Sequence, residues 1–444
     1  MNNPRLSGVI FSIYRHMLRT RRSRTNKRSF RTFEQLMKQF TIPFTYRSSL
    51  LGSIKNKRKQ DDKMKKDFSP FMLDFGGVRI FLARHFGFCY GVENAIEIAF
   101  RTVEENKGKR IFLLSEMIHN PMVNEDLKKA GVNFLQDTGG KQIIPFEELT
   151  EADIVLIPAF GTTLETEKRL RQAGIPIEKY DTTCPFVEKV WNRSNQIGAQ
   201  KFTVVIHGKP QHEETRATFS HAGLSGPAII VKDMKEAELL GSFILGEISV
   251  EKFNEVFSGR MTAGFNPKSD LERIGVVNQT TMLAGDTQAI ADYLKKIMLR
   301  KYSLDESSGG SRFADTHDTL CYATNDNQTA VYKLLETPAD LAIIVGGYNS
   351  SNTSHLVELC EEKLPSYFIS SAEKIISASE INHFNLHEKK EMTTGQFLPE
   401  KEIIDILLTS GASCPDSVVE KVIERVIHLR NTKKGINEML AELS

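Results

Sequence analysis

The stretch Asp181-Thr182-Thr183-Cys184-Pro185 lies where a predicted β-strand gives way to an α-helix. Two other stretches have the same character, namely Gly87-Phe88-Cys89-Tyr90-Gly91 and Asp318-Thr319-Leu320-Cys321-Tyr322-Ala323-Thr324. Each surrounds one cysteine with residues that favour turns and helix starts. Three thiols that are distant in the chain but alike in their surroundings indicate one shared ligand. Three thiolates also leave a fourth coordination position open for chemistry.

Around these stretches, from Gly77 onward, short apolar strands alternate with helices. The strand at residues 154–157 ends at Pro158-Ala159-Phe160-Gly161, and the strand at residues 341–345 ends at a pair of glycines. This alternation predicts α/β domains with mostly parallel sheets. In such sheets ligands bind beyond the carboxyl ends of the strands, where most of the polar residues discussed below are found.

The composition narrows the class of protein. A length of 444 residues favours two or three domains. The longest apolar runs, such as residues 341–345, are far too short to span a bilayer, so we expect no membrane partner. Five cysteines is an odd number, which disfavours a secreted disulfide framework. Metal ligation or catalysis in a reducing compartment fits better.

The N-terminal segment is strongly basic, because residues 1–60 hold 15 Lys and Arg but a single acid, Glu34. We interpret residues 1–66 as a solvated, partly disordered basic arm. A transit peptide is an alternative, since such peptides are Arg-rich and acid-poor. Nucleic-acid binding is another, but no recognition motif accompanies the charge, and we expect no nucleic-acid partner. The expected location is cytoplasmic, with the plastid stroma as the alternative if the arm acts in targeting.

The strand-end cysteines are suited to ligation. Pro185 is pre-shaped for the first position of a helix. A cysteine at a helix start feels the positive end of the helix dipole, and we therefore expect Cys89, Cys184 and Cys321 to be thiolates. The glycines on both sides of Cys89 let the backbone come close to a bulky group.

The other cysteines and the choice of metal are less clear. Cys360 lies on a predicted helix and fits a small buried hydrophobe, whereas Cys414 at a strand-to-helix turn is ambiguous. Zinc usually needs Cys-x-x-Cys pairs or nearby histidines, and the three strand-end cysteines have no such pairing. Iron–sulfur clusters are held by thiolates, and a cubane with three protein ligands keeps one iron free. Composition alone leaves both metals open.

A second set of residues consists of hydrogen-bond donors at predicted strand ends and helix starts. The set is His119, His212, Thr280, Thr281, Ser350, Ser351, Asn352 and Ser413. A single Ser, Thr or Asn is best explained as a helix cap. A buried diphosphate needs many convergent donors, because one helix N-terminus contributes only about 0.3–1 kcal/mol. Glu214 would repel an anion, so we interpret it as a proton carrier.

Taken in order along the chain, these motifs resemble the LytB/IspH family of 4-hydroxy-3-methylbut-2-enyl diphosphate reductases. The resemblance covers residues 74–427. Its motifs are Gly87-Phe88-Cys89-Tyr90-Gly91-Val92, Asp181-Thr182-Thr183-Cys184-Pro185, His212-Glu213-Glu214, Gln279-Thr280-Thr281, Cys321-Tyr322-Ala323-Thr324, Asn349-Ser350-Ser351-Asn352 and Ser410-Gly411-Ala412-Ser413. One such motif would be weak, but the ordered series is specific.

The resemblance implies an α/β fold of three similar domains with parallel sheets, placed with pseudo-threefold symmetry around a central iron–sulfur cluster. It implies one 4Fe-4S cluster with three ligands, Cys89, Cys184 and Cys321, and an open apical iron. The expected boundaries are residues 67–183, 184–310 and 311–415 for the domains and 416–444 for a C-terminal helix that packs back on the core.

The resemblance also implies the reaction. The substrate's hydroxyl is removed reductively as water, which gives isopentenyl and dimethylallyl diphosphates in the last step of non-mevalonate isoprenoid biosynthesis. Glu214 would donate a proton, with Thr280 near the hydroxyl. The implied diphosphate ligands are His119, His212, Ser350, Ser351, Asn352 and Ser413, and the neighbouring Thr281 is included as a binding residue. We expect a ferredoxin- or flavodoxin-like electron donor, and a homodimer is compatible with the sequence.

One departure from the family pattern falls at Ala159-Phe160-Gly161. Many bacterial members have a histidine where this chain has Phe160, so the role of that histidine is assigned to no residue here. This feature and the long N-terminal arm resemble the plant and cyanobacterial branch. Two alternatives stay open: a zinc-dependent hydrolase of a phosphorylated substrate, and a nucleic-acid-binding protein that uses the arm.

Overall fold

The structure, a computed structural model, describes residues 40–64, 66–314, 319 and 321–443. Most of the predicted basic arm, residues 1–39, lies outside these ranges, as do Asp318 and Leu320 of the third cysteine motif. Within the described ranges, no helix combines the length and the apolar character that crossing a bilayer requires.

The described chain alternates strands and helices, as predicted. The strands are β1 (Phe71–Asp74), β2 (Val78–Leu82), β3 (Ile111–Leu113), β4 (Val132–Phe134), β5 (Ile154–Leu156), β6 (Thr203–His207), β7 (Ala228–Val231), β8 (Ile274–Asn278), β9 (Leu341–Val345), β10 (Ser366–Ile369), β11 (Glu380–Asn385), β12 (Lys390–Gly395) and β13 (Ile404–Ser410). The helices are α1 (Ser49–Asp61), α2 (Tyr90–Glu105), α3 (Pro121–Lys129), α4 (Leu164–Gln172), α5 (Pro185–Ala199), α6 (Glu213–Ala222), α7 (Met234–Leu245), α8 (Val250–Phe257), α9 (Pro267–Asp270), α10 (Ala284–Tyr302), α11 (Tyr322–Leu334), α12 (Ser351–Glu361), α13 (Asp416–Leu429) and α14 (Ile436–Leu443).

The strands form three largely parallel sheets and a hairpin. The strand orders are β4-β3-β5, β7-β6-β8 and β1-β2-β13-β9-β10, and only β1 in these sheets runs antiparallel to its neighbour. The hairpin pairs β11 with β12. The central strands, such as β6 and β9, are buried along their whole length, because helices cover both faces of a parallel sheet. This is the predicted α/β class with several parallel sheets.

Each of the three cysteines follows a strand or an isolated bridge of a different sheet. Cys89 comes after β2. Cys184 follows an isolated parallel bridge between Ile157 and Asp181, next to β5. Cys321 follows a parallel bridge between Ile274 of β8 and Phe313. The repeated placement delivers one thiol from each sheet to the start of a helix.

Strand pairing joins segments that were expected to lie in different domains. Strands β1 and β2, which were assigned to the first domain, belong to the sheet of the third, because Ile80 pairs in parallel with Ile406. The C-terminal segment also forms two helices, α13 and α14, where one was expected. Helix α13 contributes Val419 and Val422 to the core of the five-stranded sheet.

The arm is shorter than predicted, because residues 49–61 form helix α1. Ser48 caps this helix, and its side chain accepts the backbone N–H of Leu51 at 2.9 Å. Leu50, Leu51 and Ile54 are buried in the core beneath the five-stranded sheet. This buried apolar face was missed in the sequence because the segment has an excess of Lys and Arg.

Candidate active site

The three cysteines occupy equivalent local positions, since each is the N-cap residue of a helix: α2, α5 or α11. Backbone N–H groups in the first turn hydrogen-bond each sulfur, from Gly91 and Val92 for Cys89 and from Ala323 and Thr324 for Cys321. These are N–H groups that a helix leaves unpaired at its start. The predicted strand-to-helix placement of the thiols is confirmed.

The protonation state of the thiols differs from the prediction. Burial, the largest influence, raises the pKa of Cys89 to about 12, raises that of Cys184 well above its ordinary value and also raises that of Cys321. Charge on Cys321 raises the pKa of both other thiols. The expectation of ready-made thiolates is therefore wrong for the thiols alone, because burial and mutual repulsion outweigh the N–H bonds. A cationic group bound between the sulfurs would offset both effects.

The sulfur of Cys184 also packs against the chain beside Cys89. A Cβ atom on Gly91 would lie 2.4 Å from the Sγ atom of Cys184. Gly91 therefore permits the close approach that the glycines around Cys89 predicted, and it joins two elements from different sheets at the thiols.

The arrangement of the thiols bears on which metal they fit. In the described part of the chain, no group of three or more His, Cys, Asp or Glu side chains is placed to hold a single metal ion. A single zinc ion needs all its ligands within about 2.0–2.3 Å. In a cubane each thiolate binds its own iron, so the sulfurs need not converge on one atom. Three neighbouring thiols with first-turn N–H bonds fit such a cluster.

Two residues before Glu214, His212 presents a buried donor. His212 caps α6, and its Nδ1 atom accepts the backbone N–H of Glu214 at 3.2 Å. Burial, assisted by the positive charge of His119 and other neighbours, lowers the pKa of His212 well below its usual range. The neutral ring therefore carries its proton on Nε2, and this buried atom has no hydrogen-bond partner. An unpaired buried donor costs about 1–3 kcal/mol, which a bound acceptor would recover.

Asn352 is a second donor of this kind. Its Oδ1 atom accepts the backbone N–H of Ala412 at 2.8 Å. The Nδ2 group of Asn327 lies 3.5 Å from the same Oδ1 atom. These contacts fix the orientation of the amide. The Nδ2 group is buried without a hydrogen-bond partner, so it is also available to an anion.

The predicted serines lie together at the ends of β9 and β13. Ser350 caps α12, and its hydroxyl accepts the N–H of Thr353 at 3.3 Å. The hydroxyl of Ser413 donates to the carbonyl of His119 at 3.2 Å and lies 3.5 Å from that of Ser350. Ser351 is buried at the first position of α12. The parallel pairing of β9 with β13 places these loops side by side.

Glu214 lies between the thiols and these donors. Its carboxyl oxygens accept the backbone N–H of Thr280 at 2.5 Å and the Thr280 hydroxyl at 2.9 Å. Burial raises the pKa of Glu214 to about 7, although the bonds from Thr280 and the charge of His119 oppose the shift. Charge on Glu214 raises the pKa of Cys321, so the carboxyl group and this thiol are neighbours. A carboxyl group with a pKa near neutrality is suited to proton transfer.

His119 is held by two residues that the sequence did not assign to the site. Its Nε2 atom lies 3.1 Å from a carboxyl oxygen of Glu213. Its ring stacks on Phe160, with 4.2 Å between ring centroids, and meets His212 edge-on at 5.1 Å. Glu213 stood in the quoted motif, but nothing in the local sequence showed that it would contact a histidine 94 positions away.

Thr281 is the predicted residue least engaged with the others. It is half-buried, and its hydroxyl accepts the side-chain N–H of Gln279 at 2.6 Å. The remaining predicted residues form a continuous set from the thiols through Glu214 to the histidines. Cys360 and Cys414 lie outside this set, buried in apolar cores.

Three largely parallel sheets that each contribute a thiol, next to a carboxyl group and to buried donors without partners, define the class as an α/β protein with a shared polar site. The family model described as LytB protein matches residues 80–427. A 4-hydroxy-3-methylbut-2-enyl diphosphate reductase of Gloeobacter violaceus is 40% identical over 374 residues, which are 83% of this chain and 86% of the relative. The chain therefore belongs to the LytB family.

Other comparisons agree. A reductase of the same name from a Cyanothece species is 39% identical over 397 residues, which cover 89% of this chain and 92% of the relative. The solved E-1-hydroxy-2-methyl-but-2-enyl-4-diphosphate reductase of Plasmodium falciparum is 21% identical. It matches with a TM-score of 0.57 over 78% of this chain and 87% of that one, a likeness of fold. The cyanobacterial relatives agree with the branch inferred from Phe160.

Proposed function

We propose that the chain reduces 4-hydroxy-3-methylbut-2-enyl diphosphate to isopentenyl and dimethylallyl diphosphates, the last step of the non-mevalonate pathway. The observation that carries this proposal is the contiguity of the site. Glu214 contacts Thr280 and is a neighbour of Cys321. The charge of His119 also acts on Glu214 and opposes the rise of its pKa. One small molecule can therefore meet the thiol site, a proton donor and the buried donors together.

The diphosphate is assigned to the donor side of this site. His212 Nε2 and Asn352 Nδ2 are buried donors without partners, and both would gain a hydrogen bond from a phosphate oxygen. Ser350, Ser351 and Ser413 add hydroxyl groups beside them. We assign a binding role to Thr281 as well, although Gln279 occupies its hydroxyl oxygen as an acceptor and leaves only its O–H for a ligand.

The thiol side is assigned to one 4Fe-4S cluster held by Cys89, Cys184 and Cys321, with its apical iron open. When bound, the cluster supplies electrons and a Lewis-acidic position for the substrate's hydroxyl. The first-turn N–H groups of the three helices would stabilise the sulfur charge. Burial of Cys321 keeps bulk water away from that ligand, whereas Cys89 and Cys184 are half-buried.

The proton is assigned to Glu214. Its pKa of about 7 leaves a large protonated fraction at neutral pH. Thr280 donates to both carboxyl oxygens, so it fixes the direction in which the acid faces. Reduction of the hydroxyl to water needs protons, and a positioned acid contributes about 10²–10⁴-fold to such steps.

The partners and location stay proposals. We assign the electrons to a ferredoxin- or flavodoxin-like protein, and we keep a homodimer as a prediction. The cytoplasm is the proposed location, with the plastid stroma as the alternative.

The test is anaerobic purification of the full chain followed by metal analysis and turnover with a chemical reductant. We expect about four irons per chain, as one cubane requires, and formation of both five-carbon diphosphates. A Cys184→Ser variant should lose the cluster, and Cys360→Ser is the matched control that should keep it. Stoichiometric zinc with oxygen-stable hydrolysis, or a folded protein free of iron, would contradict the proposal.

A further inference from the structure

The environment of His119 is more elaborate than a hydrogen-bond donor needs. Its carbonyl accepts the hydroxyl of Ser413 at 3.2 Å. That carbonyl also lies against Gly347, where a Cβ atom would come within 2.4 Å of it. Backbone and ring are therefore held separately, the backbone by Ser413 and Gly347 and the ring by Glu213 and Phe160.

Glu213 holds one edge of the imidazole ring. Its Oε2 atom lies 3.1 Å from Nε2 of His119, and its Oε1 atom accepts the hydroxyl of Ser115. The side chains of His119 and Glu213 are only 7% and 6% exposed. A carboxylate only accepts hydrogen bonds, so Nε2 of His119 carries a proton whenever Glu213 is ionised. Both ring nitrogens of a histidine donate only when both carry a proton, so donation from Nδ1 to an anion requires the imidazolium.

Phe160 holds the face of the same ring. The two ring planes are 29° apart with centroids at 4.2 Å, and Phe160 also meets the ring of His212 edge-on at 5.6 Å. One phenyl ring thus contacts both histidines of the anion pocket. Stacking on an aromatic face also favours a cationic partner.

The carboxylate of Glu213, which lies near the anion pocket, also borders a cavity. A cavity of about 110 Å³ opens at the carboxyl ends of β3 and β5. Among the residues lining it are Ser115, Gln136, Thr162, Thr166, Glu213 and Arg216. Of the ionisable residues of the active site, only Glu213 lines this cavity, so it faces hydroxyl groups and an arginine there and His119 on its other side.

A positive charge on His119 would match the diphosphate, because the other assigned binding residues carry no positive charge. His212 is kept neutral by burial. The other assigned binding residues are hydroxyl groups and an amide. Glu116 is nearby, and burial raises its pKa, although the charge of His119 opposes the shift. Of the assigned binding residues, His119 is the one that can meet a diphosphate with a positive charge.

We propose that Glu213 and Phe160 are positioning residues that fix His119 as a cationic donor to the diphosphate, with Nε2 bound to the carboxylate and Nδ1 left for the anion. The proposal rests on the proposed function, because it takes the diphosphate as the ligand. The cation lies between Glu213 and the anion, so the carboxylate supports binding through the ring and does not touch the substrate.

The test compares Glu213→Gln and Phe160→Leu in the cluster-loaded full chain. Glu165→Gln, an exposed carboxyl at the start of α4, and Phe134→Leu are the matched controls. The readouts are the Kd of inorganic diphosphate by calorimetry, and KM and kcat for turnover. For Glu213→Gln we expect Kd and KM to rise about 10–100-fold, the range for a hydrogen bond to a charged group, with kcat within about twofold. Phe160→Leu should raise both about threefold, since a stacked cation contributes about 0.5–1 kcal/mol or more.

Two outcomes would overturn the proposal. A fall in kcat with KM and Kd unchanged would mean that Glu213 passes protons from the cavity. Unchanged values in both variants would mean that His119 needs neither residue. Iron content and thermal stability identify a misfolded variant, in which case Glu213→Asp, which keeps the charge, provides the second measurement and should bind more tightly than Glu213→Gln. Diphosphate binding is measured without turnover, so a failed proposed function would be recognised separately by wild-type protein that lacks iron and activity.

Discussion

Glu214 owes its chemistry to its surroundings, because an ordinary glutamic acid would be ionised at neutral pH and useless as an acid. Burial, opposed by two hydrogen bonds from Thr280, raises its pKa to about 7. The sequence indicated the role of Glu214 only indirectly, from a carboxyl group among anion donors. The structure adds the cause, which is the absence of water around a carboxyl group that is 1% exposed.

Replacing Glu214 by glutamine should separate binding from proton transfer. The amide keeps the shape and can still accept from Thr280, but it cannot donate a proton as an acid. We expect the Kd of inorganic diphosphate to stay within about threefold while kcat falls by about 100-fold or more. Steady-state kinetics and calorimetry on cluster-loaded protein measure both. Weaker binding with normal turnover would refute the assigned role.

The rate should also depend on pH through the same group. Because the pKa of Glu214 is raised, the neutral form predominates below about pH 7 and is lost as the pH rises through that value. A proton donor must be protonated, so kcat at saturating substrate should decline above about pH 7. The pH profile of the exposed-site variant Glu165→Gln should match that of the wild type. A rate that is flat across this range would contradict the assignment.

Gly91 offers a test of the thiol site that leaves every cysteine in place. A Cβ atom at this position would lie 2.4 Å from Sγ of Cys184. We expect Gly91→Ala to displace that sulfur and to lose most of the cluster, measured as iron and sulfide per chain after anaerobic reconstitution. Gly285→Ala is the control, because a Cβ atom there meets no atom within 4 Å. Full iron content in Gly91→Ala would show that the ligands are assigned wrongly.

At the scale of elements, local patterns predicted the placement of the thiols well. A strand, a turn residue and a helix former occupy adjacent positions, so the start of α5 at Pro185 was visible in the sequence. Pairing between distant segments was not visible, so the expected segment of residues 67–183 separated β2 from β13, with which it pairs. The contact of Glu213 with His119 was missed for the same reason.

Helix α1 was not recognised from the sequence because its segment is rich in Lys and Arg. The contribution of this helix to stability can be measured. Leu51 is fully buried in the core of the five-stranded sheet. We expect Leu51→Ala to reduce the free energy of unfolding by about 2–5 kcal/mol, as determined by urea denaturation of the cluster-loaded chain.

Deletion of residues 1–39, by contrast, should leave reductase activity and iron content unchanged. A tight, salt-sensitive RNA complex that is lost on this deletion would favour a nucleic-acid role for the arm.

At the scale of the whole molecule, the fold class was predictable from the sequence, whereas the pairing of distant strands was not. The α/β class and the repeated strand-end cysteine followed from alternating apolar segments and from three similar motifs. The sheet that contains β1 and β2 combines the N-terminal and C-terminal parts of the described chain. Linear segments drawn along the sequence cannot reproduce such a sheet, because its strands are contributed from both ends.

The delivery of one cysteine from each sheet has a consequence for the life of the protein in a cell. The proposed cluster, held at all three helix starts, would link the three parallel sheets as well as supply electrons, since metal binding and folding share one free energy. An oxidant that dissolves such a cluster would end turnover and remove this link between the sheets in the same event. The supply of assembled clusters should therefore control how much of this chain escapes proteolysis, in addition to how much of it is active.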